Sequence, residues 1–177
     1  MRIISGENKG QRISFPKNLP VRPTTDIAKE GLFNIISNNY NFNEISVIDL
    51  FAGSGNISYE FYSRGVQKIL AVDNNYKCTC FITKQSKSLE MNISVVKRNV
   101  YEFLQHNRVN ADIFFADPPY SENMKKLNSI IELVLNSEML NDKGVLIIEH
   151  FKKINFLDHK RIVDSRTYGD SSFSFFK

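Results

Sequence analysis

Asp117-Pro118-Pro119-Tyr120 is the stretch of this 177-residue chain whose residue types are best suited to chemistry. It follows the apolar run Ala111-Asp112-Ile113-Phe114-Phe115-Ala116, which reads as a fully buried parallel strand. Such a strand ends at the carboxyl edge of its sheet, where open α/β folds keep their ligands. Two consecutive prolines stop both strand and helix, because neither offers an N–H and each fixes φ. The expected result is a stiff bend that aims a carboxylate (Asp117), a carbonyl with no competing N–H (Pro118) and an aromatic ring (Tyr120) into one pocket. Two acceptors so placed suit an exocyclic amine on a nucleobase. They can bond both amine hydrogens and turn a delocalised lone pair toward an incoming methyl group. The tyrosine face adds a surface for a planar base, worth roughly 1–3 kcal/mol in single-strand recognition.

A second carrier of chemistry is Val47-Ile48-Asp49-Leu50-Phe51-Ala52-Gly53-Ser54-Gly55-Asn56. Glycines 53 and 55, between a strand and a helix, let a ligand lie against the backbone. A dinucleotide fingerprint would place its third glycine at position 58, which is Ser58, so a pyrophosphate is a poor fit. Asp73 stands where a ribose-binding acid belongs. The chain here resembles the amino-methyltransferases that use S-adenosylmethionine and carry an Asp/Asn-Pro-Pro-Tyr/Phe motif; Asp49 to Gly55 resembles their first motif. The resemblance implies a cofactor site of Asp49, Phe51, Ala52, Gly53, Gly55, Asp73 and Asn99. Asp49, Gly53 and Gly55 would hold the amino-acid end, Asp73 the ribose hydroxyls, and Asn99 the adenine amine. Many relatives have Asp at that last position, but an Asn oxygen can also accept the bond. Asp117, Pro118, Pro119 and Tyr120 are the implied catalytic set.

The resemblance extends over essentially the whole chain. Arg2-Ile3-Ile4-Ser5-Gly6, Lys9-Gly10, Arg22-Pro23-Thr24-Thr25-Asp26, Lys29-Glu30 and Leu32-Phe33-Asn34-Ile35 precede the two motifs in the order found in one family. That family is the bacterial 16S rRNA (guanine(966)-N(2))-methyltransferases, and Tyr168-Gly169 before a strand fits its ending. It implies methyl transfer to guanine N2 in 16S rRNA, within the small subunit or an assembly intermediate, by a monomeric cytoplasmic enzyme. Ile27 and Ala28 depart from the arginine and valine often found in relatives. The residues alone do not choose the base. An adenine-N6 DNA methyltransferase would share both motifs, although such enzymes usually add a target-recognition insertion, for which the spacing here leaves no room. A non-catalytic RNA-binding assembly factor on the same fold is a further alternative, set against an intact cofactor loop and motif acid.

The net charge of +4 is informative by location. Residues 1–22 hold Arg2, Lys9, Arg12, Lys17 and Arg22 against Glu7 alone, which accounts for the whole excess. A basic arm before a neutral body points to a phosphate backbone, with Thr24 and Thr25 at its junction with the catalytic mouth. Cys78 and Cys80, two apart on an expected helix, do not face each other, so neither a disulfide nor a metal site is expected. His106, His150 and His159 are scattered and read as structural or solvated. No apolar run approaches a membrane span, and the start of the chain lacks the pattern of a signal peptide.

The elements that must position these residues are readable from pattern. Arg2–Ile4 and Gln11–Ile13 form a predicted hairpin, and a helix is expected from Thr24-Thr25-Asp26 to the Asn-rich stretch near residue 40. Strands are expected at 46–51, 68–73, 93–97, 111–116 and 145–148, and near 161–163 and 172–176. Helices are expected at 56–64, 76–90, 100–107 and 125–136. Alternation of this kind implies an α/β, doubly wound, mostly parallel Rossmann-like sheet of seven strands. A closing hairpin would make the last strand antiparallel, the usual arrangement in class-I methyltransferases by resemblance. One methyltransferase domain is expected, with a hairpin arm and connection at 1–23, a helix at 24–40 and a cofactor-binding core at 46–177.

Overall fold

The computed structural model describes residues 1–16, 19–21 and 24–177. The chain after the hairpin runs α1 (Asp26–Asn39), β1 (Ser46–Leu50), α2 (Asn56–Ser63), β2 (Lys68–Asp73), α3 (Tyr76–Ser88) and β3 (Ile93–Lys97). It continues α4 (Val100–His106), β4 (Ala111–Ala116), α5 (Met124–Leu135), β5 (Leu140–Phe151), β6 (Ile162–Tyr168) and β7 (Ser171–Phe176). One seven-stranded sheet has the order β3-β2-β1-β4-β5-β7-β6. β1 to β5 are parallel, and β7 is antiparallel to both its neighbours, as the pattern predicted.

Helix starts follow side-chain chemistry. Thr25 accepts from Ala28 N–H and caps α1, with Asp26 in the first turn. Asn75, Asn99 and Asn123 cap α3, α4 and α5 in the same way. Apolar positions then sort the helices by face. α1, α2 and α3 pack with Val47, Ala71, Phe115 and Ile147 on one side of the sheet. α4 and α5 pack with Ile48, Phe114, Leu146 and Phe176 on the other.

Two strands are longer than the sequence pattern suggests. β5 begins at Leu140, because Ala111 pairs with Leu140 before a register shift, and it runs on to Phe151 by pairing with β7. The polar letters Asn141, Asp142, Lys143, Glu149 and His150 hide both extensions. β6 extends to Tyr168 as an edge strand with no fully buried residue, so its Asp164, Ser165 and Arg166 read as loop. β7 instead lies between two strands with every residue buried. His150 is structural, bonded to Ser174 Oγ at 2.8 Å and to Phe151 O at 3.0 Å.

The predicted N-terminal hairpin is present but narrow: Arg2 and Arg12 form an isolated antiparallel bridge, flanked by Ile3 N–H to Gln11 O and Ile13 N–H to Met1 O. Its seat is the end of α2. Glu7 N–H and Asn8 N–H donate to Ser63 O and Oγ, and a Cβ on Gly6 would stand 1.7 Å from Ser63 O. Glu60, fully buried, accepts from Ile4 N–H, Ser5 N–H, Arg64 Nε and the Lys29 ammonium. Lys29 also donates to Arg2 O and Asn56 Oδ1, so the hairpin, α1 and α2 meet at one buried ion pair. Burial lowers the Lys29 pKa, and Glu60 opposes that shift. Such a pair is strongly destabilised when only one partner is removed.

Candidate active site

A cavity of about 880 Å³ opens at the carboxyl ends of β1, β2, β4 and β5. Its size suits a small-molecule ligand with room for part of a second. Asp49, Asp73 and Glu149 each lie two residues beyond Val47, Ala71 and Ile147, so strand alternation sends them to the same face of the sheet. Asp117 comes one residue after the end of β4, and its N–H donates to Leu50 O. All four acids line the cavity.

The loop after β1 is shaped by unusual backbone. Phe51 takes φ 60, a left-handed conformation that is an outlier for a bulky side chain and persists only where the surrounding structure holds it. Gly53 N–H donates to Asp73 Oδ2 at 2.8 Å, and Asn75 N–H donates to Asp73 Oδ1 at 2.7 Å. The carboxylate expected to meet a ribose therefore also ties the β1 loop to the β2 loop. Gly55 sits at the start of α2 with φ 78, and a Cβ there would lie 2.8 Å from the Tyr59 ring. It does not line the cavity, and what it supplies is the turn into α2 and the space for Tyr59. Asp49 is buried and accepts from Ser58 Oγ at 2.5 Å. Burial pushes its carboxyl up to about 7, against the bonds from Ser58.

Phe51, Ala52, Gly53 and Asn99 all face the cavity. Asn99 Oδ1 already accepts from Tyr101 and Glu102 N–H, so what it offers an adenine beyond that cap is its amide NH₂. Phe51 and Tyr101 meet edge to face, 6.2 Å between centroids, at this end. At the opposite end Pro118 is buried and Tyr120 is 38% exposed. Tyr120 is braced by a hydrogen bond to Ser171 Oγ at 2.9 Å and by the Phe151 ring at 5.7 Å. Both braces come from the β5–β7 pair, so the aromatic of the motif is held by the sheet.

The residues expected to meet RNA divide. Arg2, Lys9 and Arg12 are exposed on the hairpin, away from the cavity lining; Arg2 pairs with Asp26 at 2.9 Å. Thr24 and Thr25 line the cavity, but Thr25 caps α1 and Thr24 is buried, donating to Glu149 Oε2 at 2.8 Å. Lys17 and Arg22 lie outside the described residues. Sequence reasoning missed Glu149 and Ser58. Glu149 was findable: Val145 to Glu149 is an apolar run closed by an acid, the same pattern that ends at Asp49, Asp73 and Asp117.

The family described as Conserved hypothetical protein 95 is matched over residues 1–177. The chain belongs to this family. The ribosomal RNA small subunit methyltransferase D of Buchnera aphidicola subsp. Acyrthosiphon pisum is 35% identical over 154 residues, covering 85% of this chain and 78% of the relative. The solved structure of Escherichia coli yhhF matches with a TM-score of 0.85 and 25% identity, covering 99% of this chain and 96% of that one. A Thermus thermophilus 16S rRNA N2 G1207 methyltransferase, solved in complex with AdoMet and guanosine, shares the fold at TM-score 0.71 and 15% identity, over 87% of this chain and 43% of its own. The class-I methyltransferase fold and the family-level resemblance to 16S rRNA methyltransferases are thus borne out.

Proposed function

We propose that this protein transfers a methyl group from S-adenosylmethionine to N2 of a guanine in small-subunit 16S rRNA, position 966 by family resemblance. The observation that carries the reading is that Asp117-Pro118-Pro119-Tyr120 and the Asp49–Gly53 loop open into one cavity. The chemistry of the donors fits the cofactor. Asp73 presents two carboxylate oxygens at the end of β2 for vicinal hydroxyls, and Asp49 is a buried carboxylate suited to an ammonium. When bound, the cofactor supplies a methyl group on a sulfonium, already a good leaving group, so positioning is the protein's main contribution.

Asp117 and Pro118 C=O accept the two hydrogens of the guanine amine and hold its nitrogen lone pair toward the cofactor side of the cavity. Tyr120, fixed by Ser171 and Phe151, carries the base on its face. Asp117 accepts the proton that the nitrogen sheds once the new N–C bond forms. The exposed Arg2, Lys9 and Arg12, together with Lys17 and Arg22, engage RNA phosphates, and Thr24 and Thr25 line the cavity.

The test is transfer of labelled methyl from the cofactor into unmodified small subunits, naked 16S rRNA and duplex DNA side by side, followed by digestion to nucleosides. N2-methylguanosine from either RNA sample supports the reading. N6-methyladenine from DNA, or no transfer to any substrate, contradicts it.

A further inference from the structure

The balance of charge beyond residue 22 holds in number but not in place. Between residues 68 and 98 the chain carries Lys68, Lys77, Lys84, Lys87, Lys97 and Arg98 against only Asp73 and Glu90. Asp73 is buried in the candidate active site and engaged by two backbone N–H groups, which leaves the surface of α3 and β3 strongly cationic. The fold concentrates that charge further. A groove of about 350 Å³ runs between α3 and the edge strand β3, lined by Thr79, Cys80, Thr83, Lys84, Lys87 and Lys97 over a floor of Val95. The three lysines are exposed and no acid lines the groove. At its upper end Tyr76 is 67% exposed, with the Lys97 ammonium 5.5 Å from its ring centroid.

We infer that this groove is a second docking surface for the RNA strand, with phosphates on Lys84, Lys87 and Lys97 and one base on the Tyr76 ring. The inference rests on the RNA substrate proposed above. Cations spaced along a groove beside an exposed aromatic face are the combination that tracks a single-stranded backbone and stacks its bases. Position supports the same occupant. Asn75, which caps α3, and Cys78 line the active-site cavity while the next residues, Thr79 and Cys80, line the groove, so the two flank the same first turns of α3. The basic hairpin packs on the same side of the sheet, through Ile3 and Ile13 in the cluster that holds α1, α2 and α3. The arm and the groove thus share one side of the sheet, and the cavity opens at the carboxyl ends of its strands.

The full chain is assayed on unmodified 16S rRNA with the variant Lys84→Ala/Lys87→Ala/Lys97→Ala. KM for RNA is expected to rise about tenfold or more, and the slope of log affinity against log salt to flatten by about 2, with kcat and cofactor affinity unchanged. Tyr76→Ala is expected to raise KM while leaving the salt slope intact. Arg108→Ala/Lys143→Ala/Lys160→Ala removes equal charge elsewhere and is expected to change KM less than about twofold. Wild-type KM and slope in the first triple variant overturn the groove, and equal losses from both triples do so by assigning the effect to net charge. An active wild type beside an unaffected triple removes only this inference; a wild type that methylates no RNA removes the substrate assignment and the docking surface with it.

Discussion

Ser58 Oγ donates to Asp49 Oδ2 at 2.5 Å, and both side chains are buried beneath the loop that would receive the cofactor. The position that excludes a pyrophosphate fingerprint by lacking glycine is therefore the one that orients the acid of the first motif.

A pH dependence follows. With burial pushing the Asp49 carboxyl to about 7, the folded protein holds this proton more tightly than the unfolded chain. The associated stability is complete below the ordinary value of 3.8 and is lost as pH rises to about 7. An ammonium group brought beside Asp49 favours the ionised form, so cofactor binding near pH 6 is expected to release close to one proton. Affinity is then expected to fall about tenfold per unit below pH 7. Calorimetry in buffers of differing ionisation heat counts the proton, and Asp49→Asn should abolish the count. No release in the wild type would place the ammonium elsewhere.

Asp73→Ala should affect two properties at once. It removes the acceptor for Gly53 and Asn75 N–H, a loss of about 1–3 kcal/mol in folding stability, and it weakens cofactor binding. RNA affinity in the absence of cofactor should stay near the wild-type value. Unchanged cofactor affinity by calorimetry would remove the ribose from β2.

Asp117→Ala is expected to lower turnover roughly 10²–10⁴-fold, the range for a lost acid–base group, while melting temperature and cofactor affinity stay close to wild type. Single-turnover methyl transfer is the measurement. A variant with most of its activity would reduce the carboxylate to a terminator of β4.

Neutralising Lys9, Arg12 and Lys17 together is expected to weaken RNA binding, with cofactor affinity unchanged. The salt slope should flatten by about 0.7–0.9 for each phosphate no longer engaged. Arg2 should matter less than its charge suggests, because Asp26 already pairs with it. An unchanged slope in the triple variant would make the hairpin a structural element alone.

The legible parts of the chain were those where one local rule governs. β3 and β4 were read to the residue, because their apolar runs stop abruptly at polar or proline neighbours. The start of α1 at Thr25 follows from cap chemistry. What stayed hidden depends on partners distant in sequence. Glu149 and His150 read as the polar end of a strand, yet β7 extends the ladder past them, and Thr24, 125 residues away, meets the acid. Asn99, expected as an adenine contact from its place after β3, lines the cavity, and its oxygen also caps the first turn of α4. The hairpin read as a free arm because its charges are outward, while its inward contacts run through Glu60.

That carboxylate also sets an order of assembly. Ile4 and Ser5 precede Glu60 by 56 and 55 residues, so this segment has no seat until α2 has been made. At roughly 5–20 residues per second, the hairpin waits roughly 3–11 s for its acceptor. Lys29 reaches the same carboxylate from α1, and its ammonium remains solvated until then. The positively charged surface of the hairpin thus gains a fixed orientation only when the first half of the core condenses. Growth of the chain and maturation of its RNA-facing side are coupled through one side chain.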